Sequence, residues 1–77
     1  MVSFFAIAGR EVRSGGLGRV LAWARAEAQA GRGPVKVAKA RADEDSARVV
    51  FEIEAGAERI IVDGRRLPLA KLKRAAE

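Results

Sequence analysis

The 77-residue chain contains no cysteine, no histidine and no tyrosine, and only one tryptophan, three phenylalanines and two prolines. Without cysteine there is no disulfide framework and no thiol nucleophile, and the composition suits a reducing compartment, so the cytoplasm is the expected location. Without histidine the commonest general base is missing, and with it the commonest transition-metal ligand. Most enzyme classes are thereby excluded from the expectation, and no catalytic residue, metal or cofactor is nominated. No apolar run approaches the roughly 18–20 residues of a membrane span. Phe4-Phe5-Ala6-Ile7-Ala8 ends like a signal-peptide cleavage site, but no basic segment precedes it and it is shorter than an h-region. Neither a membrane partner nor export is expected.

What the chain does have is 49% hydrophobic and 32% charged residues. That balance describes a foldable chain rather than a disordered one. Residues 1–77 fit a single domain, and at this size only about 60% of the unfolded surface is buried, so the core is thin. With disulfides and metals closed to it, packing and self-association are the remaining aids, and a homodimer is a candidate state. The net charge of +5 and pI near 10.8 imply an anionic partner.

The short apolar run Val2 to Ala8 reads as a strand at a sheet centre. Gly9 to Gly16 reads as a glycine-rich basic connector. From Leu17 to Ala30, apolar Leu17, Val20, Leu21, Ala24 and Ala28 recur on one helical face, with Ser14 as the expected N-cap and Gly31 as the stop. Val35–Arg41 and Arg48–Glu54 alternate around the polar turn Asp43-Glu44-Asp45-Ser46. A hairpin folded about residue 44 sets Val35 opposite Ile53, Lys36 opposite Glu52 and Val37 opposite Phe51, satisfying an apolar face and a charge pair in one register. After a turn at Ala55-Gly56-Ala57, a third strand places Ile60 beside Ile53, Val62 beside Phe51 and Arg59 beside Glu54. Asp63-Gly64 signals a tight turn, and Pro68 opens a short helix with Leu69, Leu72 and Ala76 on one face. The expected fold is α+β, in the order β-α-β-β-β-α. Its sheet is antiparallel-dominated, with two helices on the one face made by Val35, Val37, Val49, Phe51, Ile53, Ile60 and Val62.

Motifs add little. Gly15, Gly16 and Gly18 precede the long helix but match neither the dinucleotide fingerprint nor a P-loop. Asp43, Glu44 and Asp45 lack the calcium-loop pattern, and the expected reading is a solvated turn. Charge is the feature with a layout: residues 10–41 carry a net +6 and residues 43–58 a net −5. Two basic sets stand outside the cancelling pairs. Arg65, Arg66, Lys71, Lys73 and Arg74 form one, and Arg10, Arg13 and Arg19 the other; both are candidate contacts to nucleic-acid phosphates. Trp23, Val50 and Ile61 fall outside the expected core and are candidates for an apolar interaction patch.

From Leu17 onward the α-β-β-β-α order is similar to that of double-stranded RNA-binding domains. The Ser-Lys-Lys signature of that family is replaced here by Arg65-Arg66-Leu67-Pro68, and order alone carries no function. The expectation is a small non-enzymatic protein that contacts DNA or RNA phosphates. The alternative is an assembly module that binds itself or a partner protein.

Overall fold

The computed structural model describes residues 1–76. Its first departure from expectation lies at Gly9, whose φ of 62° lets Gly9 and Arg10 close a two-residue hairpin turn. The segment that reads as a connector is therefore a strand. β1 (Val2–Ala8) pairs with β2 (Glu11–Gly15), Phe5 opposite Ser14 and Ile7 opposite Val12. Because the ladder takes Ser14, it does not cap the following helix. α1 (Leu17–Gln29) starts instead on Gly16, with no side-chain cap. Its other end stops as expected: Gly31 donates to the Ala28 carbonyl and Arg32 to the Glu27 carbonyl, the paired bonds of a Schellman motif.

β3 (Val35–Arg41) and β4 (Ser46–Glu54) form the central hairpin in the expected register, Val35 opposite Ile53, Lys36 opposite Glu52 and Val37 opposite Phe51. The next pair is Ala38 with Val49, so Val50 is an extra residue, a β-bulge. β5 (Ala57–Ile60) follows a two-residue turn at Ala55-Gly56, and β6 (Arg66–Pro68) leads into α2 (Leu69–Ala76). All pairings are antiparallel, in the order β2-β1-β3-β4-β5, with β6 also on β4. The α+β class and antiparallel sheet are as expected, and the order is β-β-α-β-β-β-β-α.

Alternation along β1 sends Ala6 and Ala8 to one face of the sheet and Phe5 to the other, and the helices divide in the same way. On the front face α1 packs Val20, Ala24 and Ala28 against Ala6, Ala8, Val35, Val37 and Ile53. On the back face Leu72 of α2 joins Phe5, Val12, Ala38, Ala40, Ala47 and Val49. This corrects the expectation of two helices on one face. The bulge is the physical reason: period-2 alternation places Val49, Phe51 and Ile53 together, but the extra Val50 turns Val49 to the back while Phe51 and Ile53 stay in front.

The β4–β5 register is also corrected. The tighter turn slides β5 by two residues, so Ile60 lies opposite Phe51 and Arg59 opposite Glu52. Ile60 and Val62, expected in the core, are 76% and 81% exposed. Asp63-Gly64 makes no reversal, because β5 and β6 both run antiparallel to β4. The chain between them bows out opposite the bulge and is pinned by Ile61 N–H to the Val50 carbonyl at 2.8 Å and Val49 N–H to the Arg65 carbonyl at 2.9 Å. Gly64 passes so close to Val49 that there is no room for a Cβ. Pro68 ends β6 rather than opening α2, on a strand that among the described residues pairs with β4 alone, where its missing N–H is tolerated.

Candidate anion-binding groove on the sheet

α1 covers only part of the front face. Its buried contacts lie toward Ala8, Val35 and Ile53, and the opposite end of the same face carries no helix. β3 runs from the covered part into the open part, so its front-facing positions change from Val35 and Val37 to Lys39 and Arg41. β4 brings Arg48 beside Lys39, and β6 brings Arg66 beside Arg48. Three cations thus stand side by side across three adjacent strands. With Arg41, Glu44 and Val50 they line a cavity of about 330 Å³. Phe4 pairs with Lys39 on the next strand and Gly15 with Phe4, where the Arg19 side chain lies 3.5 Å from the position of a Gly15 Cβ.

Among the described residues, one carboxylate lines the groove. Glu44 accepts from the Arg41 amide at 2.9 Å and pairs with Arg66 at 3.4 Å, while Arg66 also donates to Ser46 Oγ at 3.1 Å. The hydrogen bond from the Arg41 amide holds the Glu44 carboxyl below its ordinary range; desolvation opposes it, and the hydrogen bond and charge of Arg66 add to the lowering. Lys39, Arg41 and Arg48 make no ion pair among the described residues. Elsewhere charges do cancel: Arg25 makes two 3.1 Å bonds to Glu58, Arg59 bonds Glu52, and Arg32 lies 3.6 Å from Glu27.

Because its folded-state pKa is lowered, Glu44 stabilises the turn above the ordinary carboxylate pKa and loses that contribution as pH falls through the folded value. Glu44→Gln keeps an oxygen for the Arg41 amide but frees Arg66. The expected result is tighter anion binding and a log–log salt dependence steeper by about one unit, read by a salt titration of a labelled oligonucleotide.

The residues singled out from sequence are dispersed. Arg66 enters the groove, and Arg65 beside it is exposed. Lys71, Lys73 and Arg74 lie on α2, which packs on the back face, with Lys73 and Arg74 in its last turn, where cations complement the helix dipole. Arg10 is at the β1–β2 turn and shares a cavity with Lys71. Arg13 sits on β2 with its guanidinium 5.6 Å from the centre of the Trp23 ring, a cation–π contact. Trp23 is partly buried against the front core, Ile61 against the back core, and Val50 lines the groove, so these three form no shared patch. Lys39, Arg41 and Arg48 were not singled out. Their signal was legible for β3, where an apolar alternation turns basic on the same parity, but Arg48 joins them through the bulge, which leaves no mark in the sequence.

No group of side chains suited to holding a metal occurs among the described residues, and no described helix is long and apolar enough to cross a membrane. The chain matches no known protein family, no curated protein and no solved structure.

Proposed function

We propose that the protein binds nucleic-acid phosphates, DNA or RNA, without catalysis, through the open half of the front face. The observation that carries this reading is the transverse row Lys39, Arg48 and Arg66, each directly opposite the next. Like charges opposed across strands destabilise a sheet. A polyanion laid along the row reverses that cost, and Arg41, which lines the same groove, lengthens the track. Phosphate contact without base-edge readout gives weak sequence preference and strong salt dependence. The lack of cysteine suits the reducing cytoplasm, where such polyanions abound.

The test is fluorescence anisotropy of labelled random-sequence duplexes and single strands against the wild-type protein at low salt. Saturable binding that weakens linearly in log–log form is the expected result. No binding to either form of either nucleic acid at low salt refutes the reading.

A second reading, an assembly module, is favoured by one observation. β5 is an edge strand exposed at every position, with Ile60 on it and Val62 just beyond. Exposed edges invite pairing with a second chain. On this reading sedimentation velocity shows a concentration-dependent homodimer that Ile60→Lys with Val62→Lys returns to a folded monomer with a lower, concentration-independent melting temperature. A wild-type chain that stays monomeric at high concentration ends it.

A further inference from the structure

The back face carries a second cavity, separate from the basic groove and independent of the nucleic-acid reading. It measures about 360 Å³ and is lined by Ile7, Val12, Leu67, Leu72 and Ala75 with two cations, Arg10 and Lys71. That volume is at the lower end of small-molecule sites, about 300–1,000 Å³, which are mostly apolar with a few placed polar groups. Three different parts of the chain build it. Ile7 and Val12 are directly opposed on the β1–β2 hairpin, Leu67 comes from β6, and Leu72 and Ala75 come from α2. The hairpin missed in the sequence is what brings Arg10 to its rim.

The two cations set the chemistry. Neither makes an ion pair among the described residues. Lys71 also stands in the first turn of α2, which holds no acidic residue. A cation there opposes the positive end of the helix dipole, so the arrangement is relieved by an anion. The apolar walls require that the anion carry an apolar body, which a phosphodiester chain does not offer.

We infer that this cavity binds a small amphipathic monocarboxylate, with its apolar body among Ile7, Val12, Leu67 and Leu72 and its carboxylate between Arg10 and Lys71. An apolar peptide ending in a free carboxylate shares the head-group chemistry, but a volume of about 360 Å³ matches the small molecule.

The probe is sodium octanoate, titrated into isotopically labelled full-length protein and followed by amide chemical shifts. Saturable shifts confined to Gly9, Val12, Leu67 and Lys71 and their neighbours are expected. Octanol, with the same body and no charge, binds about tenfold or more weakly, because a charge-assisted contact is lost. Lys71→Gln weakens octanoate by a similar factor. Ala75→Phe, at an exposed helix position, fills the space and abolishes the shifts while the rest of the spectrum is retained. Equal binding of octanol and octanoate, undiminished binding to Ala75→Phe, or tighter binding of an apolar peptide carboxylate than of octanoate overturns the inference.

Discussion

Gly64→Ala is expected to lower stability by about 3 kcal/mol or more, at the upper end of what overpacking costs and enough to unfold much of a domain whose total stability is only about 3–5 kcal/mol. A Cβ at this position would sit 1.7 Å from the Val49 carbonyl oxygen and 2.7 Å from its carbon. Neither atom can yield. Val49 is fixed through its amide to Arg65, its side chain is buried in the back core, and the neighbouring Val50 carbonyl is held by Ile61. The strain falls on backbone rather than on a flexible side chain, so no rotamer change relieves it. The control is Gly18→Ala in α1, where a Cβ meets nothing within 4 Å. There the same substitution is expected to stabilise by about 0.5–1 kcal/mol, because glycine is the poorer helix former. Urea denaturation of both variants reads the two signs together. A Gly64→Ala midpoint indistinguishable from wild type contradicts the close approach of Gly64 to Val49 of β4.

Lys39→Glu separates stability from binding. In the wild-type sheet Lys39 faces Arg48, and Arg48 faces Arg66. Replacing the first of these two like-charge contacts with an opposite-charge pair is expected to add about 0.2–1 kcal/mol of stability. The same change takes two units of charge from the groove. Nucleic-acid affinity at low salt is therefore expected to fall about tenfold or more, since the electrostatic term supplies nearly all of non-specific binding. A residue that costs stability where it stands, and whose removal costs binding, is placed for function. Thermal melts and anisotropy on the same preparation give both numbers. A variant that loses stability, or that binds as tightly as wild type, removes the argument for the groove.

Much of the local structure was legible from residue pattern. The stripe of Val20, Ala24 and Ala28 gave α1, and the agreement of an apolar face with the Lys36–Glu52 pair gave the β3–β4 register. Leu72 with Leu69 and Ala76 gave the face of α2. Apart from the β4–β5 register, which the tighter Ala55-Gly56 turn shifts, what was not legible followed chiefly from two backbone irregularities. The Gly9 turn makes a strand out of a segment whose polar and glycine-rich composition reads as a loop. The bulge at Val50 reverses the parity of β4 and so assigns the helices to opposite faces. Both are settled by sheet pairing at a distance, where tertiary context overrides local propensity. The groove depends on the second of them, because without the bulge Arg48 would not share a face with Lys39. Lys71, Lys73 and Arg74 stood out because a basic helix is conspicuous in one dimension. Their surface lies across the sheet from the row that the fold assembles.

That separation makes the salt dependence of nucleic-acid binding the most direct measurement. The wild-type chain is compared with two charge-neutralised variants, Lys39→Gln with Arg41→Gln and Arg48→Gln, and Lys71→Gln with Lys73→Gln and Arg74→Gln. Each variant removes the same charge from opposite faces, so a general loss of basicity affects both equally. For wild type a log–log slope of about −3 on duplex DNA corresponds to the three unpaired groove cations. The groove variant is expected to lose most of that slope and the α2 variant to keep it. The opposite pattern, with the slope lost from the α2 variant and kept by the groove variant, contradicts the groove reading.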